Sequence, residues 1–110
     1  MNLPNKEQAY VPPGKLTDYL LLTSHPVGGS KARFLRSVGF NDTNISLLQE
    51  GLLKIARLFE VQDRRSTPFG EKFVIEGDLM APNGNSIRLE TVWIIDKGQE
   101  QPRLVTAYPR

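Results

Sequence analysis

An Asn-Gly pair between two strand-like runs is the feature that most constrains the fold of this 110-residue chain. Asn83 and Gly84, within residues 82–85, are the strongest short hairpin signal in the chain. Residues 72–80 before the turn and 86–96 after it have the composition of strands, and the second run alternates its side chains between two faces. The sequence therefore predicts a β-hairpin here. Residues 60–66 and 104–108 extend it into an antiparallel meander.

The pattern of apolar residues predicts helices in the first half of the chain. Apolar side chains recur at helical spacing over about residues 15–22, 30–38 and 41–59. Gly39 fits the end of the second helix, and Gly51 weakens the middle of the third. The predicted fold class is α+β, with N-terminal helices packed on a roughly four-stranded antiparallel sheet. A chain of this length predicts one domain over residues 1–110, mainly helical to about residue 59.

Composition excludes several classes of function. The chain has no cysteine and one histidine, so neither a thiolate nucleophile nor a histidine- or cysteine-based metal site is expected, and no cofactor is predicted. No signal peptide and no run long enough to span a bilayer is present, so a soluble, cytoplasmic protein without membrane contact is the expectation. The net charge of +2 permits nucleic-acid binding without requiring it.

The last predicted strand combines an apolar pattern with hydroxyl groups. Strand periodicity places Leu104, Thr106 and Tyr108 on one face, and Arg103, Val105 and Ala107 on the other. Two hydroxyl-bearing side chains two residues apart are able to bind a phosphate without carrying charge.

These segments together resemble a small bacterial family of uncharacterised domains. The resemblance covers nearly the whole chain and rests on residues 5–10, 15–21, 25–28, 31–34, 82–84, 91–93 and 103–109. More distantly, the chain is similar to the barnase–EndoU–colicin–RelE group of metal-independent ribonucleases, many of which are toxins. That resemblance implies a RelE- or barnase-like fold, and the toxin of a toxin–antitoxin pair.

The resemblance also implies a site. His25 would be the general acid or base, Lys31 the cation that faces the phosphate, and Thr106 and Tyr108 the orienting donors. Lesser, substrate-binding candidates are Arg33, Arg88, Thr91 and Arg103. The expected substrate is RNA, such as tRNA or mRNA, cleaved by attack of its 2′-hydroxyl. The expected partner is a cognate antitoxin or immunity-type protein that covers the basic face.

A non-catalytic binding or assembly module on the same fold remains the alternative. A single histidine, with no second strong acid or base, favours that alternative, whereas the hydroxyls of the last strand favour the enzyme. A concave face shared by His25, Lys31, Thr106 and Tyr108 would support the enzyme.

Overall fold

The computed structural model describes residues 1–24 and 29–110 of the chain. In this part of the chain, a 3₁₀ turn and a π-helical segment precede two α-helices and a sheet of four strands. The bounds are Lys6–Gln8 for the turn, Leu16–Leu20 for the π-helical segment, Gly29–Ser37 for α1, Ile45–Leu58 for α2, Asp63–Thr67 for β1, Gly70–Met80 for β2, Ser86–Asp96 for β3 and Arg103–Pro109 for β4.

The strands form a meander in the order β1-β2-β3-β4, and every neighbouring pair is antiparallel. Asn83 and Gly84 lie in the turn between β2 and β3, where Gly84 has a φ of 90°. The predicted pairing of the last strand with β3 is confirmed, as is the α+β fold class. At the outer edge of β4, Tyr10 forms an isolated parallel bridge with Arg103.

One face of the sheet, called here the inner face, packs against α2. The strands contribute Phe73, Ile75, Leu89 and Trp93 to this core, all at most 1% exposed. Gly51 explains the gap in the apolar pattern of α2, because a Cβ at this position would overlap the side chain of Leu79. The glycine that weakens the helix by propensity therefore lets the helix approach the sheet closely.

The predicted alternation along the last strand is wrong. The register shifts at Val92 and Trp93, so that Leu104 pairs with Trp93 while Thr106 pairs with Val92. This β-bulge places one extra residue, Val105, in β4. Leu104 and Ala107 consequently face the core at 0% and 1% exposure. Thr106 and Tyr108 lie instead on the opposite, outer face of the sheet, opposite Val92 and Glu90.

The first predicted helix is a π-helical turn rather than an α-helix. Its backbone bonds run over five residues, from Leu20 N to Lys15 O at 2.9 Å and from Leu21 N to Leu16 O at 2.7 Å. The wider turn buries Leu16 and Leu20 and leaves Tyr19 half-buried at the side of β4. Among residues 1–24 and 29–110, no helix is long and apolar enough to cross a membrane.

Candidate functional site

Four side chains from three elements meet at the outer edge of the sheet, and we call Tyr19, Lys31, Thr106 and Tyr108 the Lys31 cluster. The Lys31 ammonium donates to the Tyr19 hydroxyl at 2.9 Å and to the Thr106 hydroxyl at 3.0 Å. The two hydroxyl oxygens are 3.2 Å apart. Lys31 Nζ also lies 5.5 Å from the centre of the Tyr108 ring. One cation therefore contacts two hydroxyls and the rings of both tyrosines.

Local structure explains this convergence. β4 is the last strand of the sheet, so side chains from the N-terminal half reach its outer face around the edge. Lys31 lies in the first turn of α1, where the backbone dipole favours an anion beside it. The bulge at Val105 turns the side chains of Thr106 and Tyr108 to the outer face of the sheet, which is the face that Lys31 reaches.

The neighbours of Tyr19 in the cluster change the pKa of its phenol. Burial raises the pKa of the phenol, but the hydrogen bonds with Lys31 and Thr106 and the charges of Lys31 and Lys15 lower it by more. The net pKa therefore lies below the ordinary value. An ammonium bonded to a phenol oxygen stabilises the phenolate, which makes Tyr19 a better proton donor than a solvent-exposed tyrosine.

Tyr108 is held differently. Its hydroxyl donates to the Glu90 carboxylate on β3, so its proton is directed away from Lys31. Glu90 in turn approaches Arg110 Nε at 3.5 Å, and its side chain is only 14% exposed. The Tyr108 ring, rather than its hydroxyl, faces the surface around Lys31.

Two depressions flank the Lys31 cluster. The Tyr108 depression, of about 440 Å³, is lined by Ser30, Lys31, Tyr108 and Pro109. The Arg103 depression, also of about 440 Å³, is lined by Pro12, Pro13, Gly14, Lys15, Asp18, Tyr19 and Arg103. Lys31 lines the first depression and Tyr19 the second, and these two side chains are hydrogen-bonded to each other.

The structure does not bring Thr91 to this surface. Thr91 is fully buried on the inner face. Its hydroxyl donates to Ile75 O at 2.8 Å and accepts from Trp93 Nε1 at 2.8 Å. The hydroxyl thus satisfies a buried indole N–H instead of facing a substrate.

Thr91→Val is expected to lower the free energy of unfolding by about 1–3 kcal/mol, because it leaves the Trp93 N–H buried without an acceptor. Thermal unfolding followed by Trp93 fluorescence measures this change. Thr17→Val, at an exposed position, is the control and should shift stability by no more than about 0.5 kcal/mol. Equal stabilities of the two variants would contradict the structural role of the Thr91 hydroxyl.

The arginine candidates lie around the cluster rather than in it. Arg103 lines its own depression but forms a double hydrogen bond with Asp96, at 2.6 and 3.0 Å, and this bond holds the pKa of the carboxyl below its usual range. Arg88, on the outer face, pairs with Asp78 at 3.2 Å. Arg33 is exposed on α1, two residues and hence about 200° around the helix from Lys31.

His25 lies outside the described residues, in the sequence between the segments that carry Tyr19 and Lys31. Within residues 1–24 and 29–110, no three histidine or acidic side chains group together as metal ligands would. The predicted residues that the structure does bring together are therefore Lys31, Thr106 and Tyr108.

Sequence reasoning missed Tyr19 and Glu90. The helical pattern assigns Tyr19 to an apolar stripe with Leu16 and Leu20, and nothing in the pattern indicates that its hydroxyl meets Lys31. A signal was present in the residue type itself, since a tyrosine in a stripe of leucines has a polar end that needs a partner when buried. Glu90 had no corresponding signal, because the bulge in β4 decides which residue of β3 lies opposite Tyr108.

Comparison with known proteins agrees with the expected family. A model of the family described as Domain of unknown function (DUF6883) matches residues 2–110, and the chain belongs to this family. The resemblance to a family of uncharacterised domains is thereby confirmed. A search of curated protein sequences found no match.

A solved structure shares the fold over almost the entire chain. One chain of a "Contact-dependent growth inhibition toxin - immunity protein complex from Klebsiella pneumoniae 342" superposes with a TM-score of 0.75. The two chains are 18% identical, and the match covers 96% of each.

Proposed function

We propose that this member of the DUF6883 family is a metal-independent endoribonuclease, the toxin of a pair whose second member is an antitoxin or immunity-type protein. The observation that carries the proposal is the convergence of Lys31 and Thr106 within 3.0 Å, beside the Tyr108 ring and between two depressions. An ammonium and a hydroxyl side by side match the nonbridging oxygens of a phosphodiester.

In the proposed reaction the 2′-hydroxyl of RNA attacks the neighbouring phosphorus, giving a 2′,3′-cyclic phosphate and a free 5′-hydroxyl end. His25 transfers a proton, Lys31 faces the developing negative charge, and Thr106 orients the phosphate. The Tyr108 ring and Pro109 offer a nucleobase an apolar wall for stacking in the Tyr108 depression. Arg103, Arg33 and Arg88 lie farther out as candidate contacts for the RNA backbone.

The toxin half of the proposal is supported by the fold. The solved structure that shares this fold is a complex of a toxin with its immunity protein, which supports a role in such a pair. We expect an acidic partner to cover the face that carries Lys31 and thereby to block RNA. Co-expression with the product of a neighbouring gene, followed by co-purification, tests this. A chain that is nontoxic alone and binds no neighbouring product would contradict it.

The purified chain is expected to cleave RNA in EDTA, and Lys31→Met should lower the rate by about 10²–10³-fold, because it removes the charge and keeps the length of the side chain. Lys97→Met, in the exposed turn before β4, is the matched control and should cleave like wild type. Gel analysis of the RNA and its end groups is the measurement. Loss of cleavage in EDTA, or equal rates for the two variants, would contradict the mechanism.

A non-catalytic binding module stays as the second candidate, and one observation favours it. Lys31 already makes two hydrogen bonds and two ring contacts within the chain, as a cation with a purely structural role would. Intact RNA and unimpaired growth after induced expression of the wild-type chain would favour this reading.

A further inference from the structure

The proposed cleavage needs two proton transfers, one from the attacking 2′-hydroxyl and one to the departing 5′-oxygen, whereas the chain has one histidine. We infer that Tyr19 is the second proton-transfer group, the general acid that protonates the 5′-oxygen. This inference rests on the proposed function and adds a catalytic residue to it.

The geometry selects Tyr19 among the hydroxyls of the Lys31 cluster. The Tyr108 hydroxyl donates its hydrogen bond to the Glu90 carboxylate, and its proton is therefore directed away from Lys31. Thr106 carries an aliphatic hydroxyl, which does not ionise near neutral pH. Tyr19 is a phenol that is only half-buried, lines the Arg103 depression and accepts a hydrogen bond from Lys31 at 2.9 Å.

The surroundings of Tyr19 stabilise the product of proton loss. Lys31 Nζ lies 5.3 Å and Lys15 Nζ 5.0 Å from the centre of the Tyr19 ring. These two charges and the hydrogen bonds with Lys31 and Thr106 outweigh the effect of burial and lower the pKa of the phenol. Lys31 thus stabilises a phenolate while it remains charged and available to the phosphate.

The step balances with His25 as the base. The 2′-oxygen forms a bond to phosphorus while its proton passes to His25, and the bond from phosphorus to the 5′-oxygen breaks. The phenol proton of Tyr19 passes to that oxygen, and the phenolate that remains keeps its hydrogen bonds with Lys31 and Thr106. Exchange with water then returns a proton to Tyr19 and removes one from His25.

Tyr19→Phe, tested on two substrates, separates an acid from a structural residue. On ordinary RNA the variant should lose about 10²–10⁴-fold in rate. On RNA with a sulfur in place of the bridging 5′-oxygen, the loss should shrink to about tenfold or less, because a thiolate leaves without being protonated. Tyr10→Phe is the matched control and should behave like wild type on both substrates. Lys31→Met should keep most of its defect on the sulfur substrate, because the nonbridging oxygens are unchanged.

The pH profile gives a second readout that a structural role would not affect. The wild-type rate should fall at alkaline pH as the phenol ionises, and Tyr19→Phe should lack this fall. In the described part of the chain, the charged side chains around Tyr19 are Lys15, Asp18, Lys31 and Arg103. Lys15→Met should therefore shift the alkaline limb to higher pH, since it removes a positive charge that lowers the pKa of the Tyr19 phenol.

The outcomes distinguish this inference from the function on which it rests. A wild-type chain that cleaves RNA, with a Tyr19→Phe variant that is fully active or equally defective on both substrates, would overturn the role of Tyr19 alone. A wild-type chain that cleaves neither substrate would overturn both proposals.

Discussion

His25→Ala is expected to slow RNA cleavage by about 10²–10⁴-fold while the domain stays folded. Imidazole is the side chain whose ordinary pKa allows it to take and return a proton near neutral pH, and the chain contains one. Cleavage of a short RNA oligonucleotide under single-turnover conditions measures the loss. Because only one imidazole is present, proton NMR of the wild-type chain gives its pKa directly, and the acidic limb of the rate profile should follow that value.

Two controls separate a loss of catalysis in His25→Ala from a loss of folding. Gln99→Ala, in the exposed turn between β3 and β4, should cleave at the wild-type rate. Circular dichroism should show the same unfolding temperature for wild type and His25→Ala. Activity that persists in His25→Ala would exclude histidine-based proton transfer, and a lowered unfolding temperature would assign the loss to the fold.

Truncation after Gly98 is expected to abolish cooperative folding. It removes β4, which supplies Leu104 and Ala107 to the core and covers the edge of β3. Loss of a buried leucine side chain alone costs about 2–5 kcal/mol. A domain of this size has a free energy of unfolding of about 5–15 kcal/mol. The combined loss of the leucine, the alanine and the strand's hydrogen bonds is expected to exceed that free energy.

Removal of Arg110 alone is the control for the truncation. Arg110 lies beyond β4 with its side chain 53% exposed, and it pairs at 2.7 Å with Glu76, whose side chain is 15% exposed. Its loss should lower the free energy of unfolding by no more than about 1 kcal/mol. Urea unfolding followed by circular dichroism distinguishes the two chains. A chain ending at Gly98 that unfolds cooperatively at the wild-type midpoint would show that β4 is dispensable.

Local patterns predicted the sheet well because side chains along a strand alternate between its two faces. The pair Asn83 and Gly84 placed the β2–β3 turn, and alternation predicted the inner face of β3, including Trp93. Periodicity failed at Val105, because a bulge depends on how β4 meets β3 and leaves no mark on the strand itself. It also failed for the π-helical segment Leu16–Leu20, whose residues suit an α-helix equally well.

The site was less predictable than the fold. The pattern of the last strand drew attention to Thr106 and Tyr108, and the resemblance gave them and Lys31 their roles, but no local pattern predicted their contacts in space. Thr91 and Thr106 are both threonines in β-strands. Thr91, however, lies on the inner face of the sheet, where its hydroxyl accepts a hydrogen bond from Trp93. The identity of a hydroxyl therefore says little until its face is known.

The hydrogen bonds that close the Lys31 cluster join residues far apart along the chain. Tyr19 and Thr106 are separated by 87 positions, and Lys31 and Thr106 by 75. Contacts of such long range form slowly, since a large loop has to close first. During synthesis, Tyr19 and Lys31 leave the ribosome long before Thr106 exists. A nascent chain therefore carries only half of the cluster until β4 emerges, and the chemistry proposed for the cluster begins only after translation has passed that strand.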